Sequence, residues 1–258
     1  MSLIPTLGVK YQVLPSLRTA YDYLNKISLN VGRINLNLLP GDSLNIIGSS
    51  SLLTNTLLTK TCITSLLPKR YGGFGNSSTV FILDAGNSTD VYQFIEFIRR
   101  FGMNIKSTLN RIKISRAFTI YQLTNFIVNE ISGLIKKHSI NLIAIPDLLK
   151  MFLQNPETDI EEIQYIFKAI EKAFRKISRK RNILLVTSVT LNNQTAIFEL
   201  AQTMLLNIYN KNIEINKNKT NDRLTVRVYE KLQHINSVNI RKQCALTMEE
   251  LLTTNESY

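Results

Sequence analysis

Five short runs rich in apolar residues alternate with four stretches in which apolar residues recur every three or four positions. That alternation constrains the fold more than any other feature of the chain. The runs are SLNIIG (43–48), TVFILDA (79–85), RIKISRA (111–117), INLIAIPDL (140–148) and RNILLVTSV (181–189). Bounded by polar turns, they read as strands of a parallel sheet covered on both faces. The stretches between them predict helices over 52–67, 89–101, 119–138 and 158–179. Val91, Phe94, Ile95, Phe97 and Ile98 mark the apolar face of one helix; Leu123, Phe126, Ile127, Ile131, Leu134 and Ile135 mark that of another. The alternation predicts an α/β fold with a mainly parallel central sheet flanked by helices. After residue 195 the rhythm changes. TMLLNIYNKN, IEINKN and RLTVRVYEKLQ read as strands joined by polar turns, which predicts a C-terminal antiparallel extension. A helix is predicted over Leu17 to Ile27, and NVGRINLNLLPGD leads from it into the first core strand. The chain is read as an N-terminal segment, 1–40, and one core domain, 41–258.

A length of 258 residues and a hydrophobic content of 44% suffice to bury a sizeable core. No apolar run approaches a membrane span, and MSLIPTLGVKYQ lacks the basic start and long apolar stretch of a signal peptide, so the expected location is intracellular. Cys62 and Cys244 have no metal-ligand spacing and read as buried thiols. His138 follows two lysines at a predicted helix end, and His234 has no visible partner. Glu161 and Glu162 open a helix, where acidic residues complement the dipole. The net charge of +12 points to a polyanionic partner, most often nucleic acid.

LNIIGSSSLLTNTLLTKTC (44–62) has the strand, Gly-led turn and helix of a phosphate-binding loop, but no lysine occurs from Gly48 to Thr59. LPGDSLNIIG, FILDAGNSTDVYQFIEFIRRFGMN, LNRIKISRAFTIYQLTNFIVNEISGLIKKHSINLIAIPDLLKMF and RNILLVTSVT follow one another in an order that resembles the core of RecA/RadA-type recombinases. The likeness covers roughly residues 30–235, and it is to a short paralogue without the helix-hairpin-helix domain. It implies a RecA-like core of the P-loop NTPase type.

The resemblance also implies positions at which ATPase chemistry is missing. Gly48 matches the first glycine of the loop. The second glycine falls on Leu53, the lysine on Thr54 and the magnesium-binding hydroxyl on Asn55; a one-residue shift brings Thr56 to that last place. The water-activating glutamate falls on Ala85, with Asp84 one residue early. The magnesium-supporting aspartate falls on Pro146, with Asp147 one residue late, and the sensor glutamine falls on Val189. The implied protein is a degenerate ATPase, not an enzyme, with no resident cofactor and no metal. An active ATPase in which Lys60 or Lys69 substitutes for the missing lysine remains an alternative, as does a DNA-free interaction module.

Basic residues gather in two places. Lys168, Lys172, Arg175, Lys176, Arg179, Lys180 and Arg181 lie on or just after the fourth predicted helix, where Lys168, Lys172, Arg175 and Arg179 share a stripe. That stripe is either a solvated face or a phosphate-binding face. The second group is Lys211, Lys217, Lys219, Arg223, Arg227, Lys231, Arg241 and Lys242. The loops that bind DNA in the resembled family fall at about 149–158 and 190–202; the first has only Lys150 and the second no basic residue. Tyr71 and Phe74 beside the glycine-rich KRYGGFGNSS either stack on bases or anchor the loop. Expected partners are DNA, held by its backbone with little sequence preference, and a RadA-type recombinase subunit, with no membrane. The N-terminal Leu3 to Pro15 is the segment the resemblance assigns to assembly. The expected function is that of a mediator or regulator in homologous recombination and DNA repair, located in the archaeal cytoplasm at the nucleoid or in a eukaryotic nucleus.

Overall fold

Strict alternation around Gly32 starts the folded chain. Ile27–Val31 (β1) and Ile34–Leu38 (β2) form an antiparallel hairpin whose burial alternates residue by residue. Gly32 turns the chain at φ 57°, in the left-handed region glycine adopts without a Cβ penalty. The hairpin replaces the expected polar lead-in, and Ile27 belongs to a strand rather than a helix. The computed structural model describes residues 25–154, 159–179, 182–191, 208–218, 222–231 and 238–253. The expected helix over Leu17 to Ile27 otherwise lies outside them, as do Leu3 to Pro15, His234, Lys180 and Arg181.

The remaining strands form one eight-stranded sheet. They are Ser43–Gly48 (β3), Thr79–Asp84 (β4), Ile112–Arg116 (β5), Ile140–Ile145 (β6), Leu184–Thr190 (β7), Lys211–Lys217 (β8), Leu224–Lys231 (β9) and Val238–Leu246 (β10). Their order across the sheet is β10-β9-β8-β3-β7-β6-β4-β5. From β8 to β5 all neighbours run parallel, and β9 and β10 continue antiparallel beyond β8. The helices are Ser51–Ser65 (α1), Val91–Arg100 (α2), Ile105–Leu109 (α3), Ile120–Asn125 (α4), Ile131–His138 (α5), Lys150–Gln154 (α6), Ile160–Ser178 (α7) and Met248–Leu252 (α8). One π-helical turn, Phe126–Glu130, joins α4 to α5, and its Phe126 ring stacks on Phe81 at 5.5 Å. The expected α/β architecture with an antiparallel C-terminal extension is therefore present. In the region read as TMLLNIYNKN, the strand begins only at Lys211, and residues 203–207 lie outside the described set.

The period of two along the strands divides the core. Val80, Ile82, Leu142, Ala144, Leu184 and Val186 point to one face with α1, α2 and the hairpin. Phe81, Leu83, Ile143, Ile145, Leu185 and Val189 point to the other face, with α4, α5, α6 and α7. α1 is buried on almost every side from Leu53 onward, although it is rich in Thr and Ser. Its hydroxyls donate back along the helix: Thr56 to Leu52 O, Thr61 to Leu57 O and Thr64 to Lys60 O, at 2.7–2.8 Å. These three hydroxyls thereby find their acceptors within the helix itself, which lets a threonine-rich helix enter the core.

Two basic side chains fasten loops to this frame. Lys60 is 2% exposed, and its Nζ donates to the carbonyls of Leu251 and Thr253, both at 2.8 Å. Burial lowers its pKa to about 8. Arg111 donates to the carbonyls of Leu66, Gly75 and Ser78 and to Ser78 Oγ, at 2.7–2.9 Å. It pins the glycine-rich loop to the start of β5. Phe74 is buried in the core and Tyr71 packs on it with the Arg70 guanidinium 4.6 Å above its ring, so this loop is anchored by its aromatics.

Candidate functional site

In open α/β sheets ligands enter at the carboxyl ends of parallel strands. Here the ends of β3, β4, β6 and β7 bring together most of the positions singled out for nucleotide chemistry. Gly48 ends β3, and α1 begins at Ser51, so only Ser49 and Ser50 form the turn. A phosphate loop needs several backbone N–H groups wrapped round an anion. In this turn Ser49 N is already spent on Asn216 Oδ1 at 3.0 Å, and Thr54 N donates to Ser50 O. Leu53, Thr54, Asn55 and Thr56 all lie inside the helix, where Leu53 and Thr54 are buried.

Gly48 is required for packing. A Cβ there would stand 2.4 Å from Ile215 O and 2.9 Å from Thr54 Cγ2. The backbone of β8 comes so close that only glycine fits, with no anion needed to explain it. Thr54 Oγ1 lies 3.5 Å from Thr190 Oγ1 and donates to Ser51 O. Asn55 accepts from Ser188 Oγ at 3.1 Å and donates to Ser88 O, and Thr56 Oγ1 accepts from Gln93 Nε2. The side chains at the loop positions thus tie α1 to β7 and to the turn after β4.

The carboxylates are likewise engaged. Asp84 ends β4 fully buried; it accepts from the backbone N–H groups of Ser88 and Thr89 and lies 3.4 Å from Arg116. Ala85 beside it is buried and carries no polar group. Pro146 follows the end of β6 and turns the chain into Asp147, which adopts φ 51°. Asp147 accepts from Thr190 N at 3.2 Å, and its own N–H donates to Ser188 Oγ. Lys150 Nζ donates to Gly86 O at 2.8 Å, crossing the space between the β4 and β6 ends. Val189 is buried in the core. Together these groups form a closed polar seam, and among the described residues no group of three or more His, Cys, Asp or Glu is placed to hold a metal.

Neither candidate substitute for the missing lysine reaches the turn. Lys60 is committed to the C-terminal carbonyls. Lys69 lies beyond the far end of the 15-residue α1, about 22 Å of helix away. A cavity of about 160 Å³ borders the turn, lined by Glu214, Asn216, Lys217, Asn218, Thr225 and Arg227. It is smaller than the roughly 300 Å³ at which small-molecule sites begin.

The basic residues divide by location. Lys168, Lys172, Arg175, Lys176 and Arg179 are exposed on the outer face of α7, opposite its buried Ile163, Ile166, Phe167, Ile170, Phe174 and Ile177. Arg175 is bonded to Glu171 at 2.8 Å. In the second group, Lys211 reaches the buried Asp42, Lys217 pairs with Asp222 and Arg227 lies 3.7 Å from Glu214, so these charges are partly neutralised within the fold. Of the two loops matched to DNA-binding loops, the described part of the first forms α6, with Met151 and Phe152 buried, while residues 155–158 lie outside the described residues, as does the second loop beyond Leu191.

Sequence reasoning missed several exposed aromatics, among them Tyr92 on α2 and three others near α4 and α7. Phe118, Tyr121 and Tyr165 are 74%, 59% and 76% exposed, so they belong to the surface rather than the core. The signal available was position: each falls off the apolar stripe of its own helix or loop. No helix among the described residues is long and apolar enough to cross a membrane. No protein-family model matches the chain, and neither does any curated protein.

Proposed function

We propose that this chain is a recombinase paralogue on a RecA-like core that does not turn over ATP. On this reading it acts in homologous recombination and repair by binding DNA, a recombinase subunit, or both. The observation that carries the proposal is the closed β3–α1 turn. The strand, turn and helix persist, while Leu53, Thr54 and Asn55 occupy the helix with packing and hydrogen bonds of their own. Such a turn serves as scaffold, and the molecule's remaining chemical resource is its surface. The surface has two features suited to macromolecules: the basic face of α7, and the edge strand β5, which has Ile114 exposed and Phe118 just beyond its end. An open strand edge suits capture of an extended segment from a partner.

Two measurements test the reading. Purified protein with ATP and Mg²⁺ is expected to release no phosphate above background; steady release abolished by Asp147→Asn overturns it. Co-purification from the native cell is expected to recover a recombinase subunit. If recovery is unchanged when Ile114→Glu and Phe118→Ala are combined, the β5 edge is not the contact.

The apolar rim at β5 also favours a second reading, a DNA-free interaction module whose basic charge meets an acidic protein. Protein association that persists in excess competitor DNA, with no DNA binding by the isolated chain, selects it.

A further inference from the structure

The outer face of α7 joins two kinds of group in one line. Tyr165, Lys168, Lys172, Arg175 and Arg179 follow one another at three- and four-residue spacing, so they share a stripe along the helix. All five are exposed. From Tyr165 to Arg179 the stripe spans about 21 Å. Among the described residues no carboxylate pairs with Lys168, Lys172 or Arg179; Arg175 shares its charge with Glu171.

The aromatic end of the stripe is wider than one ring. Tyr121 on α4 donates its hydroxyl to Glu162 Oε1 at 2.8 Å, and Glu162 is one turn before Tyr165. This bond holds the Tyr121 ring against α7, and Phe118 lies three residues before Tyr121. Two well-exposed aromatics, Tyr121 and Tyr165, at one end of a basic helix face, with exposed Phe118 three residues before Tyr121, have no account in the packing of the core. The two acidic residues of the first turn, Glu161 and Glu162, are at this same end. They disfavour phosphate there and leave the aromatic faces to uncharged groups, while phosphate is favoured further along.

We infer that the outer face of α7, with Tyr121 and Phe118, is a track for an unpaired polynucleotide strand. Bases stack at Tyr165, Tyr121 and Phe118, and the backbone runs over Lys168, Lys172, Arg175 and Arg179. Stacking needs open base faces, which a single strand offers along its length and an intact duplex hides. The inference rests on the nucleic-acid arm of the function proposed above and specifies its site and ligand.

The test is fluorescence anisotropy of the full chain with labelled oligo(dT), oligo(rU) and a duplex of mixed sequence. The parent is expected to prefer the single strands, with a log–log salt slope of roughly −3 for four neutralised phosphates. Combining Tyr165→Ala with Phe118→Ala is expected to weaken single-strand binding by about tenfold or more and leave duplex binding unchanged. Combining Lys168→Glu with Lys172→Glu is expected to weaken all three. Thermal melts matching the parent's establish that these surface variants fold. Single-strand binding unaltered by the aromatic pair, beside binding lost with the charge pair, overturns the track while sparing the general DNA reading. A parent that binds none of the three probes overturns both.

Discussion

At Lys60 a buried ammonium serves two backbone carbonyls, and its titration has a definite sign. The unfolded chain half-releases this proton at the ordinary value of 10.5, whereas the folded chain half-releases it at about 8. Between these values the unfolded state binds more protons, so stability rises with pH across the window, by at most about 1.4 kcal/mol per pH unit. The neutral amine still has two N–H groups for Leu251 O and Thr253 O. Burial raises the Cys62 thiol and the Tyr209 phenol, and these act oppositely once pH passes the ordinary thiol value of 9.0. The clean comparison is therefore urea unfolding at pH 7.5 and 9.0. Wild type is expected to gain stability relative to Lys60→Met; a relative loss would contradict the burial of the charge. Gly48 gives a second prediction. Gly48→Ala drives a methyl into Ile215 O and is expected to cost ~1–3 kcal/mol in the same assay, nucleotide or not.

Arg111 acts at the scale of elements, joining the end of α1, the glycine-rich loop and the start of β5. Arg111→Ala strips donors from three carbonyls, with an expected cost of about 2–4 kcal/mol. The loop should then open at Lys69 and Arg70, so limited trypsin digestion is expected to cut the variant there before the parent; equal rates would reject the pinning role. How legible the elements were depended on the range of their contacts. Parallel strands and amphipathic helices announce themselves through local periodicity, as in Phe94, Phe97 and Ile98. The hairpin also left a signal, since ISLNV and INLNL alternate on either side of Gly32, but two short strands in a polar context read as a lead-in. The seam at the candidate site was not legible. Thr54 meets Thr190, and Asn55 meets Ser188, 133 residues on. Nothing local in TNT shows that these side chains close the turn. The π turn at Phe126 likewise leaves the helical spacing around it intact.

Across the whole molecule, α8 closes the face formed by α1 and the hairpin. Leu251 is fully buried there, and its carbonyl and that of Thr253 satisfy Lys60. Removing residues 248–258 leaves a buried cation without acceptors and uncovers apolar surface. The expected loss is about 3 kcal/mol or more, roughly 6–12 °C in Tm for a chain of this size. A melt unchanged by the deletion would dismiss the clasp. The position of β3 between β7 and β8 has a consequence for biosynthesis. Asn45 pairs with Thr187, 142 residues later, and Ser43 bonds to Asn210, 167 residues later. A nascent chain leaving the ribosome therefore exposes the sheet's middle strand, with its polar edges open on both sides, until β7 and then β8 have been translated. Such a chain is expected to fold late and slowly, and to depend on chaperone shelter more than its stability once complete suggests.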